Sequence, residues 1–179
     1  PTKRQLKVGH AGTLDPFATG LLVILLGDAT KRADEFLKLD KVYEATISLG
    51  KTSTTGDSEG EFTEVSDIQP TEGDIKRVLE KFVGEITQTP PAYSAIKING
   101  QRAYKLAREG KEVEMPTRQV SIYSLELIDY SYPELKIRTH VGSGTYIRSL
   151  AEDIGRELGA GAYCSALRRV SVGNMILRD

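Results

Sequence analysis

Residues 9–22 read Gly9-His10-Ala11-Gly12-Thr13-Leu14-Asp15-Pro16-Phe17-Ala18-Thr19-Gly20-Leu21-Leu22, and in them three glycines and a proline surround the first carboxylate of the chain, Asp15. Glycine permits backbone conformations that other residues avoid, and proline fixes φ. This loop is therefore expected to be rigid and to hold a functional carboxylate in a defined position. An Asp-Pro pair in such a loop can also be no more than a turn. The apolar run over residues 21–26 predicts a strand buried on both faces or a short buried helix.

The spacing Gly-His-x-Gly-Thr-Leu-Asp-Pro-x-Ala-x-Gly-Leu-Leu resembles the active-site motif of the TruB family of tRNA pseudouridine synthases. A match over so many positions at fixed spacing is far more specific than a short motif, and the resemblance continues over nearly all of the chain. It implies that Asp15 is the catalytic residue, acting either as the nucleophile or as the stabiliser of a glycosyl species. It also implies that His10 contacts the substrate.

The composition favours a single domain over residues 1–179 and argues against a surface that binds polyanions everywhere. The chain has 24 Lys and Arg against 25 Asp and Glu, a formal net charge of -1, so RNA binding must come from a local basic patch. One cysteine excludes an internal disulfide, and with only two histidines a structural metal site is not expected. No apolar run reaches the length of a membrane helix, so we expect a cytoplasmic protein without membrane contact.

A strand predicted over residues 42–49 carries the second candidate residue, Tyr43. Ala45, Ile47 and Leu49 alternate there with polar side chains. Tyr43 is assigned to the polar-facing side of this strand, where an aromatic residue is commonly half-exposed. The segment Lys-Val-Tyr-Glu around it resembles the family's second motif, which implies that Tyr43 stacks on the target base and takes part in proton transfer.

Charge is distributed unevenly along the chain. Residues 52–85 contain nine acidic and three basic residues, so this part of the chain is not expected to lie against a phosphate backbone. Residues 97–111 hold five basic residues, one acidic residue and a tyrosine. This composition suits either a solvated face or a surface that contacts the phosphates and nucleobases of RNA. The preceding Pro-Pro-x-Tyr-Ser-Ala-x-Lys resembles the base of an RNA-gripping insertion, here near residues 90–115, and implies that Lys97 contacts RNA.

Helices and strands alternate irregularly over the rest of the chain, as their apolar periodicity and capping residues indicate. The predicted elements are a helix over residues 30–39, an amphipathic helix over 71–83, a short helix over 104–109, strands over 120–130 and 135–141, and a helix that runs to residue 158.

Two further motifs lie near the end of the chain. Gly-x-Tyr-Ile-Arg at the start of the last helix resembles the family's third motif, which implies that Tyr146 lines a uracil pocket and that Arg148 pairs with Asp15. An arginine so placed would fix the orientation of the carboxylate and favour its ionised form. Ala-Leu-Arg-Arg ahead of Gly173 resembles the last motif and implies that Leu167 packs against the base, with ordinary core packing as the alternative.

We therefore predict a mixed α/β domain of the α+β type, with a largely antiparallel sheet flanked by helices and a central cleft between Asp15, Tyr43 and Tyr146. The resemblance implies a pseudouridine-synthase-like fold. It also implies isomerisation, without cofactor or metal, of the uridine at position 55 in the T-loop of tRNA. The enzyme would be a monomer that binds the T-arm stem-loop and not DNA. Two segments usual in the family, an N-terminal strand and a C-terminal RNA-binding domain, are not found in this sequence.

Two other functions stay open at this point. A catalytically silent RNA-binding module could keep the same cleft and would tolerate the loss of Asp15. The catalytic subunit of a guide-RNA-dependent pseudouridylation particle would need guide RNA and partner proteins. The segment over residues 52–60 and the basic insertion resemble the stand-alone bacterial form instead.

Overall fold

The computed structural model describes residues 6–98, 100–110 and 114–178. The strands are β1 Val8–His10, β2 Thr19–Gly20, β3 Ile24–Leu26, β4 Lys41–Leu49, β5 Lys51–Ser53, β6 Phe62–Glu64, β7 Gly84–Gln88, β8 Lys97–Ile98, β9 Gln101–Arg102, β10 Arg118–Ser131, β11 Glu134–Val141, β12 Ala162–Val172 and β13 Met175–Ile176. The helices are α1 Ala33–Leu37, α2 Glu72–Lys81, α3 Ala103–Arg108 and α4 Ile147–Glu157, and a 3-10 helix spans Gly27–Arg32.

The main sheet has the strand order β13-β12-β4-β11-β10-β7, and β2 joins it by pairing with β12. All of these pairs are antiparallel except β2 with β12, which is parallel. Helix α4 packs against β12 and α2 packs against β10. The predicted mixed domain with a largely antiparallel sheet and flanking helices is confirmed.

Side chains of β4 alternate between the core and the outer face of the sheet. Ala45 and Ile47 are 4% and 0% exposed, and every second residue of the strand, on the opposite face, is partly exposed. Tyr43 is 9% exposed and belongs to the same hydrophobic core cluster. Its assignment to the polar-facing side is therefore wrong, because residues two apart on a strand share a face and Tyr43 lies two residues before Ala45.

The two long helices form as their sequences predict. Thr71 and Asp74 make a capping box at the start of α2, whose buried stripe is Ile75, Val78 and Leu79. That helix ends at Lys81 rather than at residue 83. Helix α4 has Leu158 as its C-cap, which confirms the predicted end. It lies so close to β12 that a Cβ atom on Gly155 would be 2.4 Å from the Cβ of Ala162.

Residues 21–26 form neither a strand buried on both faces nor a buried helix. Only β3 forms there, and it pairs with β1 in a two-stranded sheet. Leu25 is 4% exposed, whereas Ile24 and Leu26 are 52% and 53% exposed. The prediction is wrong because a small two-stranded antiparallel sheet is covered on one face only, so its alternate side chains remain in solvent.

Two shorter predictions are partly met. The helix expected over residues 30–39 is split into the 3-10 helix and α1. In the predicted insertion, β8 and β9 form a hairpin that leads into α3. Lys111, the last base of that segment, lies outside the described residues.

Candidate active site

A cavity of about 500 Å³ lies among the Asp15 loop, the start of β4, the N-terminus of α4 and the insertion. Its size falls within the usual range of small-ligand pockets. Five of the predicted site residues line it: Asp15, Tyr43, Tyr146, Arg148 and Leu167. Residues far apart in sequence therefore meet at one place because the strands and helix that carry them pack together.

The Asp15 loop takes its shape from a tight turn. The backbone N–H of Ala18 donates to the carbonyl oxygen of Asp15 at 2.9 Å, and Pro16 occupies the second position of this turn, where its fixed φ is favourable. Phe17 and Ala18 pack against the hydrophobic core. The turn thus anchors the loop and leaves the Asp15 carboxylate 30% exposed to the cavity.

Asp15 and Arg148 form the ion pair that the family resemblance implies. Nε of Arg148 donates to Oδ2 of Asp15 at 3.0 Å, and Nη2 donates to Oδ1 at 2.9 Å. The Arg148 side chain is only 3% exposed. Two parallel charge-assisted hydrogen bonds from a buried guanidinium fix the plane of the carboxylate. One edge of Asp15 is therefore held rigidly while the other part faces the cavity.

Arg148 also contacts a second carboxylate, Asp57, which sequence reasoning missed. Nη1 of Arg148 lies 3.4 Å from Oδ2 of Asp57, whose side chain is 5% exposed. Oδ1 of Asp57 accepts hydrogen bonds from the Thr55 hydroxyl at 2.6 Å and from the backbone N–H of Glu59 at 3.0 Å. In the sequence, Asp57 lies in a loop of small residues and acids, so no local signal sets it apart.

The remaining hydrogens of Arg148 tie two more segments to the site. Nη1 donates to the carbonyl oxygen of Thr55 at 2.8 Å, and Nη2 donates to the carbonyl oxygen of Tyr93 at 2.9 Å. One guanidinium thus joins the Asp15 loop, the turn after β5 and the base of the insertion.

Tyr43 presents a buried phenol to the cavity. Burial raises the pKa of Tyr43, and the hydrogen bond and positive charge of Arg169 oppose that rise. The hydroxyl therefore keeps its proton at neutral pH. Arg169 is 1% exposed and was not singled out from the sequence.

Tyr146 is held through its backbone. The fully buried side chain of Gln88 accepts from the Tyr146 N–H at 2.8 Å and donates to the Tyr146 carbonyl at 3.0 Å. The guanidinium of Arg118 lies 5.8 Å from the centroid of the Tyr146 ring, within cation–π distance. Gln88, another residue that the sequence analysis missed, fixes the point at which α4 begins.

Leu167 supplies an apolar wall. It is 6% exposed, belongs to the core cluster and also lines the cavity. Core packing therefore occurs, and its contact with a base stays a prediction. From the insertion, α3 adds Tyr104 and Arg108 to the lining. The Arg108 guanidinium lies 5.6 Å from the Tyr104 ring centroid.

Two predicted substrate contacts lie elsewhere. His10 is exposed on β1 and Lys97 is exposed on β8, and neither lines this cavity. Contacts of these residues with a large ligand would be made outside the cavity, and they stay predictions.

Within the described ranges, no group of three His, Cys, Asp or Glu side chains is placed to hold a metal ion. In the same ranges, no helix is both long and apolar enough to cross a membrane. What the cavity does offer is an oriented carboxylate next to a protonated phenol, between aromatic and apolar walls. The carboxylate can attack or stabilise an electrophilic carbon, and the phenol can exchange a proton with a planar ligand bound between the walls.

Comparison with protein families gives one match over most of the chain. Residues 2–147 match the model described as TruB family pseudouridylate synthase (N terminal domain). The chain is 47% identical over 171 residues to proteins named tRNA pseudouridine synthase B from Burkholderia mallei (strain NCTC 10247) and Dechloromonas aromatica (strain RCB). Each alignment covers 96% of this chain and 57% of the relative, so the chain spans little more than half of their length.

Solved structures give a consistent picture. A chain in the crystal structure of a Cbf5-Nop10-Gar1 complex is 31% identical, with a TM-score of 0.70 over 94% of this chain and 42% of that one. A chain in an H/ACA RNP bound to a substrate RNA containing 2'-deoxyuridine is 29% identical, with a TM-score of 0.68 over 97% of this chain and 40% of that one.

Proposed function

This chain belongs to the TruB family of pseudouridylate synthases, and from that premise we propose that it isomerises a uridine of tRNA to pseudouridine, with Asp15 as the catalytic carboxylate. In this reaction the uridine is flipped out of its stack, its N1–C1′ glycosidic bond breaks, the uracil turns, and a C5–C1′ bond forms. The proton on C5 then leaves and N1 takes one up, so the atoms balance. The observation that supports the proposal best is the bidentate Asp15–Arg148 pair inside the cavity. A carboxylate held there can serve as the nucleophile or stabilise the glycosyl species.

The walls of the cavity suit a flipped uracil. Tyr43 and Leu167 offer an aromatic and an apolar surface near Asp15, and Tyr146 adds a second ring. Flipped bases are commonly stacked between aromatic or apolar side chains. All of these groups come from one chain, which supports a monomeric enzyme. The direct test is incubation with a tRNA transcript followed by chemical mapping of pseudouridine, and an unmodified transcript would reject the proposal.

A second role is proposed for Tyr43, whose protonated hydroxyl borders the cavity. Tyr43→Phe keeps the ring that stacks on the base but removes the group that can carry a proton. We expect the single-turnover rate to fall by roughly 100- to 10,000-fold, the usual contribution of a general acid or base. The dissociation constant for tRNA should change by less than about twofold. A wild-type rate in this variant would leave Tyr43 as a stacking platform only.

The substrate uridine is proposed to lie in the T-loop. Flipping a base costs a few kcal/mol and least where stacking is already broken, so a loop is favoured over a duplex. The basic residues that the structure describes in the insertion, such as Arg102, Lys105 and Arg108, could neutralise only a few phosphates. Affinity for RNA should then fall with salt at a slope of about 0.7 to 0.9 per phosphate contact.

We expect an isolated T-arm hairpin to be modified at its loop uridine, and an anticodon-arm hairpin and a fully paired duplex to remain unmodified. The three RNAs are compared at the same salt concentration by chemical mapping. Equal modification of all three, or modification of the anticodon arm alone, would defeat the T-arm assignment and leave the synthase assignment standing.

The likeness to Cbf5 complexes supports a second candidate, the catalytic subunit of a guide-RNA-dependent particle. That candidate is weaker, because the Cbf5 chain is 31% identical while the proteins named tRNA pseudouridine synthase B reach 47%. The second candidate requires guide RNA and partner proteins, whereas the stand-alone enzyme requires neither. Modification of a tRNA transcript by the purified chain alone, without guide RNA or partner proteins, would favour the stand-alone enzyme.

A further inference from the structure

We propose that Arg169 is a positioning residue, which holds both ends of the Asp15 loop and directs the Tyr43 hydroxyl toward the substrate. The inference rests on the proposed function. Arg169 lies on β12, two residues after Leu167, and is 1% exposed. Its side chain borders the cavity but is almost wholly covered, so it acts on the reaction through its neighbours.

The side chain of Arg169 joins the two ends of the loop. Nη2 donates to the carbonyl oxygen of Gly12 at 3.1 Å, and Nε donates to the carbonyl oxygen of Leu21 at 2.7 Å. Gly12 precedes Asp15 by three residues and Leu21 follows it by six. Arg169 therefore spans the loop from one side of the carboxylate to the other.

The backbone of the same residue fixes the exit of the loop. The N–H of Leu21 donates to the Arg169 carbonyl at 2.8 Å, and Gly20 is the strand partner of Arg169. Gly20 has φ +101, and a Cβ atom there would lie 2.3 Å from the Arg169 carbonyl oxygen. Only glycine allows so close an approach. The exit of the loop is thus held by the main chain and the side chain of one residue.

Arg169 also lies beside Tyr43. The two residues are opposite one another where β12 pairs with β4, and both line the cavity. A guanidinium has only donors, so it can face the phenolic oxygen only at a lone pair. The proton of that hydroxyl must then point away from Arg169. Because Tyr43 borders the cavity, its proton is available to a ligand there.

The charge of Arg169 is not neutralised locally. Among the described residues, no carboxylate lies within ion-pair distance of it, and its side chain donates to two carbonyl oxygens. A buried guanidinium without a carboxylate costs stability. Such a group fits a role in orienting the loop and Tyr43 better than a role in folding alone.

The test compares Arg169→Lys with the wild type, because a lysine keeps the charge but cannot span the Gly12 and Leu21 carbonyls as the planar guanidinium does. The rate with saturating tRNA should fall by roughly 10- to 100-fold, the scale of a misplaced catalytic group, while KM changes by less than about twofold. Arg138→Lys is the matched control, since Arg138 is exposed and pairs with Glu44 outside the cavity. Assays are run well below the thermal midpoint of each variant.

Two readouts separate positioning from a merely structural role. In a Tyr43→Phe background, Arg169→Lys should lower the rate by clearly less than it does alone, since the two changes share one interaction. Hydrogen exchange at the Ala11, Ala18 and Leu21 amides should be roughly tenfold faster in Arg169→Lys, with unchanged exchange where β10 pairs with β11. Fully additive rates, a wild-type rate in Arg169→Lys or unchanged loop exchange would each overturn the inference.

The experiment also distinguishes this inference from the proposed function. Absence of pseudouridine with wild-type protein would reject the proposed function, and the exchange comparison would then decide alone whether Arg169 orders the loop. An active wild type with unaltered loop exchange in Arg169→Lys would reject only the inference.

Discussion

Asp15→Asn should abolish pseudouridine formation, with a loss of at least about 1,000-fold in single-turnover rate, while affinity for tRNA stays the same or rises slightly. The amide keeps the shape of the carboxylate but removes the charge that attacks or stabilises the sugar. Affinity should not fall, because the lost charge is negative and the ligand is a polyanion. Rates are measured by chemical mapping and dissociation constants by filter binding.

Asp129→Asn is the control for this prediction. Asp129 is an exposed carboxylate on β10 that pairs with Lys136, so its neutralisation should change neither rate nor affinity. Unaltered turnover in Asp15→Asn would contradict the catalytic assignment. An equal loss of binding and rate would favour the silent RNA-binding module, in which the cleft serves recognition alone.

Arg148→Lys should lower the rate by at least about 100-fold and should also lower the free energy of unfolding by about 1 to 3 kcal/mol. A lysine has one ammonium group, whereas Arg148 donates to Asp15 through two nitrogens and also serves the carbonyls of Thr55 and Tyr93. At least one buried acceptor would lose its partner, and the carboxylate would be free to rotate. Urea unfolding and single-turnover kinetics measure the two effects separately.

Arg156→Lys is the matched control on the same helix. Arg156 is 73% exposed and pairs with Asp153, so its substitution should change stability by no more than about 0.5 kcal/mol. Full activity in Arg148→Lys would show that a point charge is sufficient and would remove the argument from planar geometry.

Much of the fold follows from local pattern. The capping box at Thr71 and the apolar stripe of α2 specify that helix. The end of α4 at Leu158 is likewise predicted by the sequence. The period-two alternation of β4 fixes its core face, and correct counting from Ala45 places Tyr43 on that face. The error at Tyr43 was therefore one of register and not a failure of the pattern.

Other errors have a physical cause that no local pattern contains. The run over residues 21–26 is apolar enough for a buried strand, but burial of a strand depends on its neighbours, and β3 has only β1 beside it. Asp57, Gln88 and Arg169 owe their importance to partners far along the chain. Nothing within several residues of Asp57 indicates that Arg148 will lie next to it.

The ion pair at Asp15 has a consequence for how the protein is made. Arg148 follows Asp15 by 133 residues, and synthesis at about 5 to 20 residues per second separates the two by roughly 7 to 27 s. Throughout that interval the nascent Asp15 loop has neither its guanidinium partner nor the β12 strand that holds its exit. An emerging chain that stops short of α4 cannot contain the assembled carboxylate and should not modify RNA.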